Sequence, residues 1–554
     1  MTAGGALDAL LIEPVPGIGQ RFLPDGSTAK YLLGLAAKPE ATARQLRQYL
    51  AELGDIVAGE SRVEPDPRDR RFADQAWRTN PLLRRILQAH LVTRETSMAL
   101  IDLAELDWRD ETRVRFLIGN LLDALAPSNV PLVNPVSARV ALDYGGLSLV
   151  QGALNFVDDM KSAPRLPTMV DAEGFALGTT LAATPGAVVY RSEVFELLQY
   201  HPVTEKVHAT PLLIVPPTIN KYYITDLAPE RSMVEYLVAA GQQPFVMSWR
   251  NPDAEHADWG LGTYVRAVFE AMDAVERITG ADQVLLGGAC SGGMLASCAA
   301  ALLAHRGELD RLAGFSLMVT VLDNARAGEP AAFANRPVAE AAKAMSRRVG
   351  YLDGRYLAEG FAWLRPNDLI WSFWVNNYLC GGKPPKFDVL YWNSDVTRMP
   401  ARLHADFIDV GMHNALARPG GLTIDGEPVD VSAIDTDSYV LAAISDHITP
   451  WQNCYRSVGL LGGDSRFVLS RSGHIAALVN PPGNPKSKYQ VNPENPTDTE
   501  EWLAGAETYG GSWWPDWLAW LAERAGPMVP APRGLGGGGL APLAAAPGTY
   551  VHAR

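Results

Sequence analysis

Apolar residues recur at three- and four-residue intervals through 41–59, 80–106 and 111–125, the period of amphipathic helices. Pro127, Pro131 and Pro135 interrupt that pattern. Residues 1–185 are therefore expected to form a mainly helical N-terminal packing domain. From Val188 the pattern shortens to strand-like apolar runs at 212–215, 244–247, 284–286 and 315–322, alternating with helical stretches at 232–240 and 264–279. That alternation predicts a mostly parallel sheet covered by helices. Two later runs, 439–444 and 466–470, read as further strands. Residues 186–525 are thus expected to form an α/β domain. The stretch between Asp323 and Asp437 is far longer than one crossover requires, so an insertion of about 324–436 is expected to cap the site. Its aromatics, Trp363, Trp371, Phe373, Trp374, Tyr378, Tyr391 and Trp392, fit either the cap's own core or an apolar passage or dimer surface. Residues 526–554, rich in Pro and Gly, read as a flexible tail.

The most informative stretch is Asp282-Gln-Val-Leu-Leu-Gly-Gly-Ala-Cys-Ser-Gly-Gly-Met294. A strand enters a glycine turn and a small-residue helix follows, with Cys290 at the apex between Gly288 and Gly292. This is the nucleophile elbow of an α/β-hydrolase fold with cysteine in place of serine. Glycine is expected on both sides because the backbone there packs too closely for a Cβ. The turn aims the amide of Ser291 at a bound carbonyl oxygen, and only the backbone of Ser291 is expected to be used. Ser291 as nucleophile would need glycine at 289, where Ala289 stands.

The acid and base should follow in that order. The strand at 439–444 leads into Ser445-Asp446-His447, and the strand at 466–470 leads into Arg471-Ser472-Gly473-His474. Asp446 and His474 thus fall just past strand ends, on the edge where the elbow opens. His474 is the expected base and Asp446 the expected acid; a loop-capping role for Asp446 is the alternative. His447, adjoining the acid, is a possible secondary group.

A formal net charge of −14 argues against nucleic acid and anionic membranes as partners. Four cysteines at 290, 298, 380 and 454 are too scattered for a disulfide framework or a zinc site. No metal is expected, and a reducing, cytoplasmic setting suits a thiol nucleophile. Neither a basic signal-peptide region nor a long apolar run is evident, so no membrane span is expected.

Longer strings now matter: Val215-Pro-Pro-Thr-Ile-Asn-Lys-Tyr-Tyr223, Ser248-Trp-Arg-Asn-Pro252, Gly288-Ala-Cys-Ser-Gly-Gly293, Arg365-Pro-Asn-Asp-Leu-Ile-Trp371, Trp374-Val-Asn-Asn-Tyr-Leu379, Asp446-His-Ile-Thr-Pro-Trp451 and Ser472-Gly-His-Ile475. In these the chain resembles the polyhydroxyalkanoate synthases, and its length and elbow resemble the single-subunit, medium-chain type (class II). Thr218 stands where members often carry Trp or Gln, and Ala476 is similar to the short-chain (class I) enzymes, so four- and five-carbon monomers are expected to be accepted. The resemblance implies polymerisation of (R)-3-hydroxyacyl-CoA into polyester through an acyl-cysteine. Coenzyme A is then part of the substrate and a product, and no separate cofactor is expected. It also implies Ile219 as the second oxyanion donor, although Pro216 and Pro217 could simply set a loop conformation. Ala476 is expected near the acyl pocket. A homodimer, granule-associated proteins and a place at the granule surface are implied as well. A cysteine thioesterase of the same fold and a non-catalytic granule-binding protein are the competing readings.

Overall fold

The computed structural model describes residues 22–162, 164–324 and 336–554. The signal-peptide reading and the 325–335 part of the expected insertion fall outside these residues. The chain divides into two compact units: Ala172–Gly354 with Phe387–Arg554, and Ile12–Asp171 with Arg355–Lys386, each in its described part.

The first unit is built on a sheet of eleven strands: β1 (Gly186–Arg191), β2 (Phe195–Tyr200), β3 (Leu212–Val215), β4 (Pro244–Trp249), β5 (Val284–Ala289), β6 (Leu312–Met318), β7 (Ser438–Ala443), β8 (Ser465–Ser470), β9 (Lys488–Val491), β10 (Glu507–Gly510) and β11 (Ala544–Ala545). Their spatial order is β10-β9-β8-β7-β6-β5-β3-β4-β2-β1-β11. The six strands from β8 to β4 are mutually parallel, and the outer pairs are antiparallel. Every residue of β3, β4, β5 and β7 is buried, as a sheet covered on both faces demands. Register decides where function can sit. Val215 pairs with Gly288, Ala289 with Met318, Met318 with Leu441 and Ala443 with Ser470. The loops leaving β3, β5, β7 and β8 therefore open on one edge of the sheet.

Residues 526–554 are not a flexible tail. Met528–Pro530 pairs with Lys206–His208, and β11 pairs with β1. The fully buried Glu196 accepts the amides of Thr549 at 2.8 Å and Tyr550 at 2.9 Å. The glycines serve close approach: Gly538, at φ +55°, lies where a Cβ would meet Arg277 Cγ at 2.6 Å.

The second unit is helical, with helices Gly26–Ala36, Pro39–Ala58, Pro81–Leu103, Trp108–Ala124, Pro135–Asp143 and Leu147–Asp159 among its elements. Asn80, Asp107 and Asn134 cap three of them by accepting first-turn amides. Pro127 opens a single 3-10 turn and Pro135 opens a helix, so the prolines punctuate where the pattern broke. The expected cap does not hold together as one piece. Residues 355–386 belong to this helical unit. Trp371, Trp374 and Tyr378 recur at helical spacing and meet edge-to-face, and Tyr378 meets Phe156 at 5.3 Å between ring centres. Trp363 completes the row with Trp371 and Phe22. Tyr391 and Trp392 stay with the sheet unit, in the apolar cluster that also includes Cys290.

Candidate active site

Cys290 is the single residue between β5 and the helix Ser291–Arg306, and its backbone sits at φ +51° and ψ −122°. A side-chain-bearing residue is strained there. The surroundings hold it: its amide donates to the Met318 carbonyl at 2.9 Å, and its carbonyl accepts from Gly293 at 3.0 Å and from Thr320 Oγ1 at 3.3 Å. A Cβ on Gly288 would lie 2.6 Å from Gly293 Cα, and one on Gly292 would lie 2.6 Å from the Pro216 carbonyl carbon. The glycine pair flanking Cys290 is thus a steric requirement. Gly293 is a third such position, since its Cβ would lie 2.8 Å from Thr320 Cγ2.

Asp446 and His474 lie together at the same edge. His474 Nδ1 is 2.6 Å from Asp446 Oδ2. Asp446 is 8% exposed and His474 6%, so the pair is shielded from water. Thr449, which sequence reasoning passed over, donates its hydroxyl to Asp446 Oδ2 at 2.6 Å and lies 3.1 Å from His474 Nδ1. Asp446 Oδ1 accepts the amides of Ile448 at 2.8 Å and Thr449 at 2.9 Å. Asp446 therefore does cap its own loop, in an Asx turn, while also holding the histidine. A Thr three residues after an Asp is a signal that could have been read. The two loops are tied by Ser445 N–H donating to the Ser472 carbonyl at 3.0 Å.

Burial alone would push the His474 imidazole down. The charge and hydrogen bond of Asp446 outweigh it, joined by a hydrogen bond with Cys290, and the ring is raised to about 10. Burial alone would raise the Asp446 carboxyl. The His474 charge and hydrogen bond and the Thr449 bonds prevail and hold it below the usual range. The Cys290 side chain is among the groups that raise His474, and Cys290, His474 and Asp446 all stand where loops leave the same edge of the sheet. Burial pushes the Cys298 thiol up to about 12 and raises Cys380 and Cys454 too.

One candidate stands on a different element from the one expected. Ala476 is exposed. Residues His474–Leu478 form a short helix, not an open loop, so two residues turn the chain about 200° and carry Ala476 away from the face that buries His474. His447 is half-buried beside Asp446. Ser291 begins the helix, where first-turn amides have no intrahelical acceptor. Ile219 lies in the loop after β3, one residue past Thr218, whose amide donates to Ser291 Oγ at 2.9 Å.

Two family profiles match the chain, the N-terminus of poly-beta-hydroxybutyrate polymerase (PhaC) over residues 68–237 and the alpha/beta hydrolase fold over residues 211–481. Poly(3-hydroxyalkanoate) polymerase 2 of Ectopseudomonas oleovorans is 46% identical over 93% of this chain and 92% of its own length. The chain belongs to the poly(3-hydroxyalkanoate) polymerase family. Polymerase 1 of the same organism is 43% identical over 99% of this chain and 97% of its own length. The Cupriavidus necator polymerase subunit PhaC is 40% identical over 92% of this chain and 87% of its own length. The sheet unit carries the alpha/beta hydrolase profile, as the elbow implied.

Proposed function

We propose that this chain polymerises (R)-3-hydroxyacyl-CoA into polyester with release of CoA, with Cys290 carrying the acyl chain. The observation that carries this reading is the buried His474–Asp446 pair, which lies with the Cys290 elbow at one strand edge of a family member's hydrolase fold. The thiol proton passes to His474, and Asp446 steadies the imidazolium that results. The sulfur attacks the thioester carbonyl, and the oxyanion is met by the amides of Ser291 and Ile219. Collapse breaks the carbon–sulfur bond to CoA, which leaves with the proton from His474. A hydroxyl from a monomer or chain end then attacks the acyl-cysteine. Both Asp446 oxygens already accept two hydrogen bonds each, so His474 is the base for that hydroxyl as well. Exchange of one thioester for another is nearly isoenergetic, so the acyl-cysteine keeps enough reactivity to acylate an alcohol. Water must be kept out, or the product would be a free acid.

Action as a homodimer at the surface of polyester granules in the cytoplasm is part of the same proposal, supported by kinship alone. No described helix is long and apolar enough to cross a membrane. The test is incubation of the purified protein with 3-hydroxybutyryl-CoA while free CoA and product are followed. Polymer with stoichiometric CoA supports the proposal. Free hydroxy acid would identify a thioesterase, and no CoA a binding protein.

A further inference from the structure

The loop after β3 is fastened on both sides of one residue. On one side Ser291 Oγ, in a residue only 6% exposed, accepts the Thr218 amide at 2.9 Å and lies 3.1 Å from Thr218 Oγ1. The Thr218 carbonyl accepts from Thr397 Oγ1 at 3.2 Å. On the other side Asn220, at φ +66°, donates its amide group to the carbonyls of Trp392 and Asn393, both at 3.2 Å. The Lys221 carbonyl accepts from Trp392 Nε1 at 2.7 Å, and Lys221 Nζ donates to the carbonyls of Val551 at 3.0 Å and Ala553. Between these anchors, the Ile219 amide donates to no protein acceptor among the described residues.

We propose that the Ser291 hydroxyl and Thr218 form a latch that sets the Ile219 amide opposite the Ser291 amide, so that Ser291 serves the oxyanion twice. Its backbone supplies one donor, and its side chain holds the neighbour of the other. The inference rests on the acyl-transfer reading above. Thr218 is itself buried, so its amide needs an acceptor. Ser291 Oγ is that acceptor, and it projects from the residue that follows Cys290. The latch therefore ties the position of one donor to the position of the nucleophile. Ser291 and Thr218 are positioning residues, since the Ser291 hydroxyl and the Thr218 amide are used up on each other. On this proposal the Ser291 side chain is used as well as its backbone, which goes beyond the expectation from the sequence. The partner lies 73 positions away in the chain, which is why no local pattern announced it.

Ser291→Ala tests the latch with two reactions of the same thiol. Alkylation of Cys290 by iodoacetamide needs the sulfur and His474 but no oxyanion donors, whereas CoA release from 3-hydroxybutyryl-CoA needs all of them. Removing a whole oxyanion donor costs about 10²–10³ in kcat, so loosening one should lower kcat for CoA release about 10- to 100-fold, with KM and the alkylation rate within about threefold of wild type. An unchanged kcat would overturn the latch. A parallel fall in alkylation would also overturn it, because the hydroxyl would then support the whole turn and not one donor. A wild-type protein that releases no CoA would instead count against acyl transfer itself, so the two failures are distinguishable.

Discussion

Gly292→Ala probes the link between the elbow and the loop after β3. The added Cβ would lie 2.6 Å from the Pro216 carbonyl carbon, and closer still to the carbonyl oxygens of Val215 and Pro216. Carbon atoms rest at about 3.5–4.0 Å, so something must move by roughly 1 Å. The obstacle is backbone at the end of a buried central strand, which cannot rotate aside as a side chain would. Overpacking of this kind costs about 1–3 kcal/mol, and the rigid obstacle places this case at the upper end. The easiest relief shifts Pro216 and the residues behind it, including Thr218 and Ile219. A misplacement of about 1 Å at a catalytic group lowers the rate about 10²-fold. The variant should therefore unfold at lower urea than wild type and release CoA about 100-fold more slowly. Gly459→Ala is the control: it lies in the helix Trp451–Leu460 with nothing within 4 Å of its Cβ position. It should stabilise by about 0.5–1 kcal/mol and leave turnover alone. Wild-type stability and turnover in Gly292→Ala would refute the close approach on which this reasoning depends.

Three further outcomes are expected. His474→Ala should slow acylation by about 10²–10⁴-fold in a single-turnover CoA assay, while Asp446→Asn should still acylate slowly and fail to extend polymer; equal polymer from Asp446→Asn and wild type would remove that carboxylate from the site. The His474–Asp446 pair should also make stability pH-dependent. The ring is raised from 6.5 to about 10 in the folded chain, so its contribution, at most about 4–5 kcal/mol, is complete below pH 6.5 and is lost as pH rises through about 10. The Asp446 carboxyl is lowered, so its share is present above 3.8 and is lost as pH falls through its folded value. The stability gap between wild type and Asp446→Asn, from urea melts, should accordingly shrink from pH 6 toward pH 10; a gap that widened would contradict the pairing. Ala476→Gln should leave the ratio of rates on 3-hydroxybutyryl-CoA and 3-hydroxyoctanoyl-CoA unchanged, because residue 476 faces outward; a shifted ratio would bring it back to the acyl pocket.

What could be read from the sequence was local or strictly ordered. Gly288 and Gly292 announce the elbow because a Cβ there meets backbone whatever the distant packing does. Asp446 and His474 were legible because each follows a strongly apolar strand on the edge of a parallel sheet. What escaped depended on partners far along the chain. Composition marks 526–554 as loose, yet cannot tell that Glu196 and Lys221 will take up its amides and carbonyls. Length marked the insertion as a cap, but Trp374 and Tyr378 meet Phe156, and Trp371 meets Trp374, in the helical unit. Ala476 stands on a short helix where an open loop was assumed, because the five residues after Gly473 close a helical turn.

The central claim is that the growing polyester hangs from Cys290. It is tested most directly by acid-quenching the enzyme during turnover of 3-hydroxybutyryl-CoA, digesting it, and weighing the peptide that spans the elbow. The account predicts hydroxybutyryl units on Cys290 in wild type, and neither adduct nor CoA release in Cys290→Ala with its fold retained. Polymer formed with the acyl group on Ser291, or with no adduct on that peptide, would contradict it.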